Sequence, residues 1–193
     1  MTDTYLIVGL GNPGRDFREN RHNTGFMVLD RLAMKLEARF TRLQSRALIA
    51  PATYQERKII LAKPQTYMNL SGQAVQGLVR FYKLPLANLL VVHDDLDLPT
   101  GTIRIRPDGG PGGQKGMASV IERLGTDGFP RLRLGIGRPP GQMEAPDYVL
   151  QDFTQAELAL MSDTLGRAVE AALLFVVEGL EAAMNKYNSA AGL

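Results

Sequence analysis

Four short stretches of the chain bring together residue types that can do chemistry, each beside glycine or proline. In the first, Gly9, Gly11, Pro13 and Gly14 force a turn after the apolar run Tyr5 to Val8, and the polar loop that follows holds Asn12 and His22. His22 is one of two histidines in the chain, and histidine is the side chain that takes and returns protons near neutral pH. The second is Val92-His93-Asp94-Asp95-Leu96-Asp97, a carboxylate cluster at the C-terminal end of an apolar strand, where open α/β sheets place their sites. One of these carboxylates could orient a histidine by accepting its second N–H. Alternatively, Asp94, Asp95 and Asp97 could hold Mg²⁺ through oxygen ligands for phosphodiester chemistry. Strand alternation turns Asp94 and Asp95 to opposite sides, which counts against the metal.

The third stretch is Pro64-Gln-Thr-Tyr-Met-Asn-Leu-Ser-Gly72, where Asn69 offers donors and an acceptor and Tyr67 a stacking face on one loop. The fourth, Asp108-Gly-Gly-Pro-Gly-Gly-Gln-Lys-Gly116, is a glycine loop ahead of a helix expected to begin near Met117. Its backbone N–H groups could hold a phosphate, with Lys115 adding charge, but it lacks the Gly-Lys-Ser/Thr ending of an NTP-binding loop. Each stretch also has an ordinary structural explanation: a histidine filling a loop, an acidic turn, or capping by Asn69 or Ser71. Residue chemistry alone does not choose between His22 and His93 as a base.

The opening turn also spells Gly9-x-Gly11-x-x-Gly14, the spacing of a dinucleotide-binding loop. That reading needs a helix to start at the third glycine and receive a pyrophosphate. Here the residues after Pro13 show no apolar helical period until Phe26, and Asp30 falls inside that helix rather than at the tip of a second strand. The nucleotide reading is set aside.

The elements that position these groups read as an α/β domain. Phe26, Leu29, Leu32, Ala33 and Leu36 recur at helical spacing, giving a helix that ends before Phe40. Strands follow at Ala47–Tyr54 and Lys58–Ala62, joined by a Gln55–Arg57 turn and stopped at Pro64. Ser71 is placed to cap a helix through Ala74, Val75, Leu78, Val79 and Tyr82. Leu90-Val91-Val92 is apolar enough for the middle of a sheet. Thr102–Arg106 and Arg131–Ile136 alternate apolar with basic residues, so each buries one face and presents arginines on the other. A long helix spans Gln155 to Glu178, breaks at Gly179 and resumes to Tyr187, while Arg138–Pro146 reads as a surface loop. No internal repeat is present.

At 193 residues the chain has room for a full core, and one domain over 1–193 is expected. A 45% hydrophobic and 22% charged composition is globular. Without a long apolar span or a basic-then-apolar leader, a soluble, cytoplasmic protein is expected. The absence of cysteine excludes thiolate metal sites, disulfides and a cysteine nucleophile, and two histidines exclude a histidine-rich metal site. Net charge is +2, but between Thr100 and Pro140 seven basic residues (Arg104, Arg106, Lys115, Arg123, Arg131, Arg133, Arg138) face three acidic ones. Such a patch suits a polyanion such as nucleic acid, or is a solvated face.

Together, Leu10–Gly14, Arg21-His22-Asn23-x-Gly25, Pro64-x-Thr66-x-Met68-Asn69-x-Ser71-Gly72, His93-Asp94-Asp95-Leu96-Asp97-Leu98-Pro99-x-Gly101 and Arg131-Leu-Arg-Leu-Gly-Ile-Gly137 resemble bacterial-type peptidyl-tRNA hydrolase, in order and spacing, from Leu6 to about Asn185. The resemblance implies a single α/β globule, a mixed central sheet under helices, and a monomer. It implies cleavage of the ester between a peptide and the tRNA 3′ end, without metal or cofactor. Carried over by position, His22 becomes the general base and Asp94 the residue that holds its ring. Asn12 and Asn69 position the ester, water and tRNA end, Tyr67 and Phe17 flank the terminal nucleotide, and Met68 with the glycine loop lines the peptide cleft. Independently of the resemblance, Lys115 with Arg104, Arg106 and Arg133 is expected to form a basic track for tRNA phosphates, and His93 is expected to be structural. Two departures stand out: Phe17 where the family commonly has tyrosine, and Gln114-Lys115 where it commonly has His-Asn. Family members that bind RNA without hydrolysing it keep a binding-only alternative open, beside the metal nuclease.

Overall fold

Thr4–Gly9 forms strand β1, whose alternation sends Ile7 into one apolar layer and Leu6 and Val8 into the other. Both layers are covered, so β1 lies in the middle of a sheet rather than at an edge. The computed structural model describes residues 3–189. In it, β1 is joined by β2 (Arg42–Gln44), β3 (Ala47–Tyr54), β4 (Arg57–Pro64), β5 (Leu89–Asp95), β6 (Ile103–Arg106) and β7 (Arg131–Gly135). The sheet order is β2-β3-β4-β1-β5-β7-β6. β4, β1, β5 and β7 run parallel, and the outer pairings β2–β3, β3–β4 and β6–β7 are antiparallel. The sheet is mixed, as expected.

Among the described residues six α-helices accompany it: α1 (Thr24–Lys35), α2 (Ser71–Tyr82), α3 (Lys115–Leu124), α4 (Ala145–Val149), α5 (Gln155–Glu178) and α6 (Leu180–Tyr187). Val28, Leu29 and Leu32 of α1 join Val169, Leu173 and Phe175 of α5 over one face, with Leu90 and Val92 of β5 beneath. Ala74, Val75 and Leu78 of α2 and Met117 and Val120 of α3 cover the other face, over Leu89 and Val91. α5 opens with a reciprocal cap between Thr154 and Glu157 and ends at Gly179, whose φ of 95° a side chain would strain.

Several sequence expectations need correction. The hairpin turn is Gln55–Glu56, both at positive φ (45° and 67°), and β4 begins at Arg57 and runs through Pro64. The edge strand β2 escaped the sequence reading because its three residues carry no period. Ser71 does not cap α2: it is already helical, Leu70 holds the cap position, and the Ser71 hydroxyl donates to the Met68 carbonyl at 2.7 Å. α3 starts two residues before Met117, because the Gln114 side chain accepts from the Met117 N–H and closes the first turn. The segment read as a loop over Arg138–Pro146 contains the start of α4, where Pro146 sits in the first turn, a position that costs no hydrogen bond.

One close approach fixes the geometry that matters most. A Cβ on Gly25 would lie 2.5 Å from the Leu10 nitrogen and 2.5 Å from the Val92 oxygen, so only glycine lets α1 dock on the ends of β1 and β5. Three residues earlier, His22 is thereby held over the end of β5.

A candidate active site at the C-terminal ends of the parallel strands

Three adjacent parallel strands deliver the chemistry to one edge. β1 ends at Gly9 and leads to Asn12 and His22, β4 ends at Pro64 and leads to Tyr67, Met68 and Asn69, and β5 ends in Asp94 and Asp95. A cleft of about 350 Å³ opens there, lined by Asn12, His22, Tyr67, Met68, Asn69 and Asp94 together with Lys115. Leu96, Pro146, Val149 and Leu150 also line it. The lining combines hydrogen-bonding side chains with apolar ones.

His22 Nδ1 lies 2.9 Å from Asp94 Oδ2, and both side chains are buried. An ionised carboxylate only accepts, so Nδ1 carries a proton, and in the neutral imidazole Nε2 is the basic nitrogen. Strand register explains why this histidine pairs and the other does not. Asp94 shares the α1 face with Leu90 and Val92, whereas His93 shares the opposite face with Leu89 and Val91. His93 Nδ1 lies 2.7 Å from the Asp94 carbonyl oxygen. Burial pushes its pKa below the usual histidine value and keeps the ring neutral.

The carboxylates diverge as alternation requires. Asp95 Oδ2 accepts from Arg133 Nε at 2.6 Å, Asp95 Oδ1 accepts from the Asp97 N–H at 2.7 Å, and Asp97 pairs with Arg138. Each carboxylate has its own partner, and among the described residues no group of three or more His, Cys, Asp or Glu is arranged to hold a metal ion. The arrangement the nuclease reading needs is therefore not formed by Asp94, Asp95 and Asp97.

Asn12 is held on three sides. Its N–H donates to Asn23 Oδ1 and its carbonyl accepts from Asn23 Nδ2, both at 2.9 Å, while its Oδ1 accepts from the Met68 N–H at 2.7 Å. With the oxygen committed, the Asn12 amide presents its N–H₂ end to the cleft. Arg21 anchors the same turn from behind. Its guanidinium stacks 4.1 Å from the Tyr148 ring centroid, donates to the Tyr148 carbonyl at 3.1 Å and pairs with Glu157 at 2.8 Å. Burial alone would raise the Glu157 pKa; hydrogen bonds from Arg21 and Thr154 outweigh it and hold the carboxyl below its usual range.

Of the residues singled out from the sequence, Asn12, His22, Asp94, Tyr67, Met68, Asn69 and Lys115 converge on the cleft. Phe17, Arg104, Arg106 and Arg133 lie outside its lining. Phe17 is half-buried on the short turn Arg15–Phe17 beside Gly14. Arg104 and Arg133 are register partners on β6 and β7, and Arg133 is engaged by Asp95. Arg131, expected on a basic face, is buried against the Phe129 ring, donating to the carbonyls of Phe129, Gly109 and Asp127. It ties down the glycine loop rather than meeting solvent.

The fold and the cleft now stand beside known proteins. The Peptidyl-tRNA hydrolase family pattern matches residues 6–192. This chain belongs to the peptidyl-tRNA hydrolase family. A curated peptidyl-tRNA hydrolase of Desulforamulus reducens is 51% identical over 183 residues, covering 95% of this chain and 88% of the relative. One from Chloroflexus aurantiacus is 50% identical over 185 residues, covering 95% and 98%. The crystal structure of peptidyl-tRNA hydrolase from Acinetobacter baumannii superposes with a TM-score of 0.91 at 34% identity, covering 98% of this chain and 96% of that one. The family resemblance and the mixed sheet inferred from the motifs both hold.

The sequence reading missed residues that matter to the cleft. Asn23, which orients Asn12, was visible only as part of a motif. Val149 and Leu150 lay beyond the segment read as a loop. Gln114 stood out only as a departure from the family pattern; its contact was not legible, since glutamine is not a usual capping residue, and its Nε2 donates to Asp94 Oδ1 at 3.0 Å.

Proposed function

We propose that this enzyme hydrolyses the ester of peptidyl-tRNA by general-base catalysis, with His22 as base and Asp94 as the group that holds its ring. The observation that carries the assignment is the 2.9 Å contact between His22 Nδ1 and Asp94 Oδ2, which leaves Nε2 as the basic nitrogen on a residue lining the cleft. His22 Nε2 takes a proton from water as the water oxygen attacks the ester carbonyl carbon. The carbonyl oxygen gains the negative charge, and the Asn12 amide, with its own oxygen tied to Met68, is an N–H donor suited to that charge. The imidazolium, stabilised by Asp94, returns its proton to the ribose oxygen as the C–O bond breaks, so peptide acid and tRNA leave with all atoms accounted for.

Tyr67, exposed at the mouth, offers a stacking face to the terminal base, and Asn69 beside it offers hydrogen bonds. Val149, Leu150 and Met68 give the peptide an apolar wall. Lys115 supports the polyanionic half of the substrate. It is exposed in the first turn of α3, where no acidic residue stands, and a cation at that positive helix end is unfavourable by about 0.3–1 kcal/mol unless an anion arrives. Arg104 and Arg106, at the sheet edge beyond the cleft, would meet parts of the tRNA remote from the ester.

The test is peptide release from a peptidyl-tRNA by wild type and His22→Ala. Loss of the base should lower kcat about 10²–10⁴-fold with tRNA binding retained. Loss of binding with kcat intact would refute the assignment, and cutting of the RNA chain that chelator abolishes would favour a nuclease.

A further inference from the structure

We infer that Gln114 is a positioning residue for the catalytic pair, aiming Asp94 from the first turn of α3. The inference rests on the reading of His22 and Asp94 given above. Gln114 is buried and both ends of its amide are spoken for: Oε1 accepts from the Met117 N–H at 2.8 Å and Nε2 donates to Asp94 Oδ1 at 3.0 Å. The amide orientation is fixed from two directions. A backbone N–H can only donate, so the atom facing Met117 must be oxygen; a carboxylate only accepts, so the atom facing Asp94 must be nitrogen.

Asp94 is thus held at both oxygens, Oδ2 by His22 and Oδ1 by Gln114. Without the second donor the carboxylate could turn about its terminal torsion, which is broad for aspartate. The neighbourhood is built to keep the donor in place. Nε2 also lies 3.4 Å from Met68 Sδ, and a Cβ on Gly116 would sit 2.5 Å from that sulfur and 3.0 Å from Gln114 Oε1, so a side chain there would displace the Met68 or Gln114 side chain. One side chain therefore links three parts of the site: the carboxylate on β5, the Met68 turn, and the helix whose first residue is Lys115.

Because Gln114 also closes the first turn of α3, the test must separate catalysis from folding. Gln114→Ser keeps a strong cap but cannot reach Asp94. Gln114→His restores an N–H donor of similar reach. Under single-turnover peptide release, Gln114→Ser should lower kcat about 10- to 100-fold, the usual cost of removing a group that orients a catalytic ligand, with KM unchanged and Tm lowered by no more than the loss of one buried hydrogen bond. Gln114→His should recover most of that loss. With only two histidines in the chain, imidazole ¹⁵N spectra assigned with His22→Ala give a direct readout, and the His22 signals should show tautomer exchange in Gln114→Ser. Wild-type kcat in Gln114→Ser would overturn the inference, as would a kcat loss that tracks a falling Tm and is not restored by Gln114→His. Full activity in His22→Ala would instead overturn the catalytic reading on which it rests.

Discussion

Asp94→Asn isolates charge and tautomer at nearly constant shape, and the surroundings make its cost calculable. Asp94 now accepts from two donors, His22 Nδ1 and Gln114 Nε2. The Gln114 donor cannot reverse, because its oxygen is committed to the Met117 N–H. An asparagine at 94 must therefore turn its oxygen to Gln114 and its N–H₂ to His22, which forces the proton onto Nε2 and removes the base. To recover the working tautomer the amide must flip, setting its N–H₂ against that of Gln114. Leaving such buried donors unsatisfied costs about 1–3 kcal/mol. The imidazolium also loses a charged partner, a hydrogen bond of about 1.5–3 kcal/mol. Together these give about 2.5–6 kcal/mol, or a kcat loss of roughly 10²–10⁴ at about 1.4 kcal/mol per tenfold. The assay is single-turnover peptide release, with circular dichroism and KM to show that fold and binding are retained. Asp95→Asn is the matched comparison, since its carboxylate faces Arg133 rather than His22. If Asp94→Asn released peptide at near the wild-type rate, or if Asp95→Asn were the more damaging change, the reasoning would fail.

Two further outcomes follow from the same geometry. Lys115→Ala should raise KM, leave kcat nearly unchanged, and reduce the slope of log affinity against log salt by about 0.9, one phosphate contact. Tm should stay level or rise slightly as a cation leaves the positive end of α3; a collapse of kcat with an unaltered salt slope would move Lys115 into the catalytic group. His93, buried and neutral, has a folded-state pKa below its unfolded value of about 6.5. Its contribution to stability is present above that pH and is lost as pH falls through it, because the unfolded chain then binds the extra proton, with a slope of up to about 1.4 kcal/mol per pH unit. Urea unfolding between about pH 5 and 6.5 should show this decline, and His93→Gln should flatten it; an equal slope in both proteins would show that other groups govern the acid limb.

The sequence by itself determined what depends on period and on local backbone chemistry. The short apolar runs Tyr5 to Val8 and Leu90 to Val92, without polar alternation, read as buried strands, the second as a central one, and both are. The helical spacing of Phe26 to Leu36, the break at Gly179 and the alternation that separates Asp94 from Asp95 follow from the same two periods. Motif order was enough to name the family. The family resemblance pointed to His22, but residue chemistry could not choose it over His93; the physical reason is tertiary, because it depends on the face from which α1 approaches the sheet, and the approach hangs on a missing Cβ at Gly25. Burial of Arg131 and the pairing of Arg133 with Asp95 were likewise not legible, since a strand pattern gives the side a residue takes but not what waits there. Gln114 is the clearest case. It reaches Asp94, twenty residues away in the chain, because α3 begins beside the end of β5, and no local period records a hydrogen bond between elements that meet only when the sheet is covered.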